Sequence, residues 1–170
     1  MDNRAQLQTL EGLGAALLIT MTVVIITQSA TVITPQHEMM LDVQLEQMAY
    51  DVLTLLDVAP SYVMGANLTE CIAGWNMNQA TMGYNSLPHL DSELSFLLPG
   101  LLYNVDMSYV NNGNLVTKNA ILNGYPTDDA VVARRTVMLT KPQVTEANGA
   151  WDLESNELQV VEVRLTVWQV

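Results

Sequence analysis

Few side chains in this chain could do chemistry. Cysteine appears once, as Cys71, and histidine twice, as His37 and His89. A nucleophilic thiol needs a base or cation close enough to hold it as thiolate. Nothing in these spacings brings either histidine to Cys71, so a small buried or surface thiol is expected. A single cysteine also excludes an internal disulfide, and the fold must stand on its core. Asp128 and Asp129 raise the question of calcium. The D-x-D-x-D-G grammar of a calcium loop is absent, and a solvated turn is expected. The chain carries no Gly-rich phosphate loop, no Cys/His metal spacing and no supported Ser/His/Asp set. Catalytic residues, a metal and a cofactor are therefore not expected, and an enzyme is the least favoured class. Asn67-Leu68-Thr69 is an N-glycosylation acceptor, with meaning only if the domain lies outside the cell. Asn67 could equally cap a short helix running to about Trp75.

The remaining residue of interest is Glu11, which heads an apolar stretch. No other charge appears until Glu38. Gly12 to Ile33 is 22 residues, and at about 1.5 Å per residue a helix of that length covers roughly 33 Å, close to the thickness of a bilayer. One membrane-spanning helix is the expectation. A cleaved secretory signal and a buried core helix are the alternatives; the run is long for a signal, and an acid sits at its head. Thr20, Thr22, Thr27, Gln28, Ser29 and Thr31 soften the second half and hint at packing on protein. A carboxylate at the lip of an apolar helix is costly unless solvated, paired or near a helix N-terminus.

Arg4-Ala5-Gln6, followed by Thr9-Leu10-Glu11 and the apolar run, resembles the start of an archaeal type IV pilin. The resemblance implies a prepilin peptidase cut near Ala5, Gln6 and Leu7. A cut after Gln6 makes Glu11 the fifth mature residue, and a cut after Ala5 makes it the sixth. It also implies that Glu11 faces the N-terminal amine of a neighbouring subunit when the apolar helices bundle, so that Glu11, Leu10, Leu13 and Leu17 set filament register. With the segments GYPTDDAVVARRTVML (Gly124–Leu139) and VVEVRLTVW (Val160–Trp168), the start is similar to a family of small haloarchaeal membrane-anchored, pilin-like proteins.

Composition bears on partners. The chain has 170 residues, 18 acids and 6 bases, a net charge of −12. Residues 35–170 alone hold 16 acids and 5 bases, net −11. Such an acidic surface with two lysines fits a protein kept soluble in high salt, where counterions screen self-repulsion; an ordinary acidic extracellular domain is the alternative. Nucleic-acid binding is disfavoured, because no basic patch exists to neutralise phosphates.

The elements after the apolar run follow from periodicity. Pro35 should end or kink the helix at Thr34. A helix over 37–58 should then bury Leu41, Leu45, Met48, Val52 and Leu55. Asp91 or Ser92 can cap a helix to about Leu98, before Pro99-Gly100. Strands are expected near 101–110, 115–122, 130–140 and 157–169, with a turn at Asn111–Asn114. Arg134 and Arg135 should point to opposite faces, one of them meeting a cross-strand acid such as Glu162. Lys141 to Asn156 is expected as a polar surface excursion.

The sequence thus describes an α+β protein. Residues 1–34 form a head and a long transmembrane helix, kinked near Pro35; residues 35–170 form an extracellular domain in which helix packs on a small antiparallel sheet. The expected function is a structural subunit, a minor one included, of an archaeal type IV pilus-like filament or secretion pseudopilus with a role in adhesion. Its partners would be itself or other pilin-like subunits through the N-terminal helix, the membrane, a prepilin peptidase and an assembly ATPase with its platform, with no nucleic acid. It would lie single-pass in the membrane with its N-terminus inside, or in an extracellular filament. The alternative is a non-polymerising single-pass surface protein with an extracellular binding domain.

Overall fold

The computed structural model describes residues 3–29, 35–60 and 67–169, with side chains described over 11–26, 41–60 and 67–169. Two compact units emerge, Met1–Glu38 and Met39–Val170. The first holds α1 (Asn3–Ser29) and the start of α2 (Pro35–Val58). α1 is rich in Leu and Ala, which lose little side-chain entropy in a helix.

The expected long transmembrane helix is not what the chain forms. α1 spans Asn3–Ser29 and α2 spans Pro35–Val58, with Pro35 at its first position, and residues 30–34 lie outside the described residues. Proline suits that place, because its missing N–H is one of the four that lack an intrahelical acceptor. Thr34, where the break was expected, lies outside the described residues, as do Thr27 to Ile33 beyond their helical backbone at 27–29. Among the described residues no helix is long and apolar enough to cross a membrane.

The second unit is a four-stranded antiparallel sheet with short helices. β1 (Leu102–Asn111), β2 (Asn114–Leu122), β3 (Val131–Thr140) and β4 (Leu158–Trp168) run in the order β2-β1-β4-β3. Asn111 pairs with Asn114, and Asn112 and Gly113 both adopt positive φ, 50° and 78°. That is the backbone a two-residue hairpin needs to match strand twist, and Asn-Gly supplies it at little steric cost. One sheet face, with Tyr103, Val105, Met107, Val163, Leu165 and Val137, is buried in the core. On the other face Asp106 is opposite Arg164, and Arg164 is opposite Arg134.

α2 joins the core through Leu45, Ala49, Val52, Leu53 and Leu56. The expected stripe is therefore rotated: Leu41, Met48 and Leu55 are exposed. α2 carries apolar residues on several faces, and helical period alone does not choose between them. Ala49, fully buried, lets the helix backbone come close to its neighbours. Asp57, at the helix end, accepts from Arg135 Nε at 2.9 Å and from its Nη2 as well. Arg134, one residue earlier and on the other face, meets Glu162 at 3.4 Å.

Two further expectations are corrected. α4 spans Pro88–Leu97 and starts before Asp91, so neither Asp91 nor Ser92 is its cap. The Lys141–Asn156 segment is no surface excursion. It forms α5 (Lys141–Glu146) and buries Val144, Trp151 and Leu153. Trp151 Nε1 donates to Ile72 O at 2.7 Å, and Ala150 N donates to Trp75 O at 3.0 Å. A Cβ at Gly149 would fall 1.7 Å from Ala73 O, so only glycine permits this approach to α3 (Leu68–Ala73). Trp151, Trp75 and Tyr109 stack edge to face or tilted, with centroids 5.0–6.2 Å apart.

The rotated face of α2 gives a direct test by urea denaturation. Leu53→Ala should cost about 2–5 kcal/mol of stability, as for a buried leucine. Leu55→Ala should stay within about 0.5 kcal/mol, as for an exposed one. Equal costs would return the buried face to the one the periodicity suggests.

Candidate functional site

The expected assembly residues lie in α1. Glu11, Leu13 and Leu17 are exposed, the two leucines by 67% and 63%. Ala5, Gln6, Leu7 and Leu10 belong to the helical backbone of α1, and their side chains lie outside the described residues. Leu18, Ile19, Met21, Val23, Val24, Ile25 and Ile26 are also exposed. These positions go all the way round the helix, so α1 has no polar side within this run. Thr20 and Thr22 donate their hydroxyls to Ala16 O at 2.7 Å and Leu18 O at 2.8 Å. Each thereby satisfies its own polarity inside the helix. A Cβ at Gly12 or Gly14 would meet nothing within 4 Å.

Asn67 is the N-cap of α3. Its Oδ1 accepts from Thr69 N at 2.8 Å. Its Nδ2 donates to Asp57 O at 3.0 Å and to Ala59 O at 2.9 Å. Those carbonyls lie at the end of α2, where helix carbonyls run out of intrahelical donors. Asn67 thus ties the end of α2 to the start of α3 with every polar hydrogen of its amide. A glycan on Nδ2 would take one of those hydrogens.

A cleft of about 990 Å³ opens beside α3, lined by Asn67, Glu70, Cys71, His89, Gln143 and Asn148 among others. Tertiary structure thus brings Cys71 and His89 to one cleft, though no sequence spacing linked them. The thiol is nonetheless unsuited to attack. Burial pushes Cys71 up to about 12, and the charges of Glu70 and Glu93 add to the shift. A nucleophilic cysteine needs the opposite environment. No group of three His, Cys, Asp or Glu among the described residues is placed to hold a metal ion. Asp128 and Asp129 are exposed in a turn. His37 lies outside the described side chains.

One polar cluster escaped the sequence reading. Asp91 accepts from Tyr103 Oη at 2.9 Å and from Asn85 Nδ2 at 3.0 Å, and Asn85 also donates to Asn123 Oδ1 at 2.9 Å. Asn104 accepts from Asn123 N at 2.8 Å and donates to Gly124 O at 2.9 Å. Burial and the Asp91 contact push the Tyr103 phenol well above its ordinary range. The groups satisfy one another, which marks a clasp holding loops to the sheet. The signal in the sequence was the polar Asn104 beside apolar neighbours on β1.

A family model describing a family of unknown function, DUF7288, matches residues 4–167. The chain belongs to the DUF7288 family. It is similar to an uncharacterized protein of Archaeoglobus fulgidus, 34% identical over 175 residues, which cover 99% of this chain and 94% of that protein. No solved structure matches. The DUF7288 match runs from α1 to β4, so it takes in the apolar helix, the Asn67 tie and the cleft together.

Three measurements test this account. Asn67→Ala should destabilise the protein by about 1–3 kcal/mol, through the lost cap and the unpaired carbonyls; a native chain with fully glycosylated Asn67 and unchanged stability would refute the tie. Cys71 binds its proton more tightly folded than unfolded, where the ordinary value is 9.0. The unfolded chain therefore loses that proton first, and stability should fall as pH rises from about 9 toward 12. Cys71→Ala should flatten that fall, read as the urea midpoint at each pH. Maleimide should label native Cys71 slowly at pH 8 and unfolded Cys71 fast.

Proposed function

We propose that this chain is a structural subunit of an archaeal surface filament of the type IV pilus kind, or of a related secretion pseudopilus, assembled helix to helix through α1. The carrying observation is the exposure of Leu13 to Ile26 on every side of α1. A helix apolar all round is stable only when something apolar surrounds it. A bundle of identical helices meets that need on all sides, where a groove would cover only one. Gly12 and Gly14 leave room for close backbone approach. Thr20 and Thr22 spend their hydroxyls internally and need no partner from outside. Glu11, at the head of the apolar run, takes the register role by meeting the N-terminal amine of a neighbouring subunit. A relative in an archaeon, similar over nearly its whole length, agrees with the archaeal setting.

In this reading the unit after α1 lies outside the cell, and its acidic surface keeps the filament dispersed. Processing near Ala5, Gln6 and Leu7 by a prepilin peptidase precedes assembly by an ATPase and its platform.

The test is incorporation of the full chain into filaments sheared from native cells. Leu17→Asp forces a carboxylate into an apolar contact, which costs several kcal/mol, so incorporation should drop by about tenfold or more. Glu11→Ala should reduce it while leaving the sheet unit folded by circular dichroism. Unaltered incorporation of both variants, or absence of the wild-type chain from filaments, would sink the reading.

A further inference from the structure

The outer face of the sheet carries a second apolar surface, independent of α1. At the hairpin end of the sheet Leu115 is opposite Val110 across β2 and β1, and Met138 is opposite Val160 across β3 and β4. Gln159 Nε2 donates to both Val110 O at 3.3 Å and Val160 O at 3.1 Å, so the two valines are neighbours across β1 and β4. The four side chains form one row over all four strands. They are exposed by 74%, 54%, 51% and 63% in strand order, and Leu158 beside them by 62%. Isolated exposed apolar residues are ordinary; a contiguous row of this kind marks a contact surface.

We infer that this row is a self-complementary interface, and that its occupant is the same face of a second copy of the chain. The charge pattern selects that occupant. Further along the face, Arg134 meets Glu162 at 3.4 Å and Arg164 Nε donates to Asp106 at 3.1 Å. Two bases there balance two acids, whereas the rest of the chain holds 16 acids and 4 bases. Copies of a molecule with net charge −12 repel one another over most of their surface. On this face they do not.

The register also suits a two-fold axis. Let the axis run along the strands between β1 and β4, with the sheets stacked face to face. Leu115 then lies over the partner subunit's Met138, and Val110 over the partner subunit's Val160. Asp106 comes over the partner subunit's Arg164, because Asp106 and Arg164 are themselves a cross-strand pair. Rows of unlike charge and rows of apolar side chains coincide under the same operation. Of the strand order β2-β1-β4-β3, this axis exchanges outer strand with outer strand and inner with inner.

The contact can be read on the purified full chain carrying Val160→Cys, treated with a short bis-maleimide. Buried Cys71 serves as the internal unreactive thiol. A cross-linked dimer is expected from Val160→Cys. Little is expected from Thr145→Cys, which is exposed on α5 in the opposite layer. Adding Met138→Asp, at an exposed position, should cut the dimer yield several-fold with the circular dichroism spectrum unchanged. Adding Leu17→Asp, which disables α1, should leave the dimer in place, so this interface and assembly through α1 fail separately. Equal yields from the two cysteine positions, no effect of Met138→Asp, or loss of the dimer with Leu17→Asp would each overturn the inference.

Discussion

Val161, Val163, Leu165 and Val167 are fully buried on one face of β4, and β4 is hydrogen-bonded on both edges, to β1 and to β3. The last strand of the chain is thus a central strand. β3 reaches the β1–β2 hairpin only through it. Placing β4 centrally also satisfies its backbone groups, which an open edge would leave to water or to another chain. The core of the second unit is assembled on the valine face of this strand, and the mixed face opposite is left with Glu162, Arg164 and Thr166.

Polar groups in and beside the core are met by partners within the second unit. Trp75 Nε1 donates to Ser86 Oγ at 2.9 Å, and Trp151 Nε1 donates to Ile72 O. Lys118 Nζ reaches Met77 O at 2.8 Å while lying 5.9 Å from the Trp75 ring. Among the described residues no buried side-chain polar atom lacks a partner. Leaving such a group unpaired costs about 1–3 kcal/mol, so these contacts fix loop positions as firmly as apolar packing does. Cys71 and Tyr103 are held where burial suppresses their ionisation.

Charge and apolar surface divide the labour of the exterior. The chain holds 18 acids against 6 bases, and that excess makes copies repel one another. Two features depart from that rule. α1 is charge-free beyond Glu11, and the outer face of the sheet balances its acids with arginines. Exposed ion pairs such as Arg134–Glu162 contribute little to stability, about 0–1 kcal/mol each. Their consequence is electrostatic: they set where another copy can approach.

The strands were legible in the sequence because alternation is a property of neighbours: Tyr103, Val105, Met107 and Tyr109 face one way whatever the rest of the chain does. The Asn112-Gly113 turn was legible because positive φ selects those residues. The Arg134–Glu162 pair followed from the opposite faces of Arg134 and Arg135, though it forms on the diagonal, since Arg134 is opposite Arg164 and Glu162 is opposite Thr136. The buried face of α2 was not legible, since several apolar stripes competed and only packing around Ala49 chose among them. Nor was the Trp151 segment, whose polar composition concealed one tryptophan that fills the space above Trp75. The transmembrane expectation counted apolar length through Ile33, of which residues 30–33 lie outside the described residues; among the described residues no helix is long and apolar enough to cross a membrane. Asn67 was visible as a cap, but its tie to the α2 carbonyls depends on residues ten positions away being brought alongside. Local sequence therefore determined which residues pair, turn and alternate. Tertiary structure alone decided which apolar faces are buried and which remain for a partner, because burial is set by what the rest of the chain leaves uncovered.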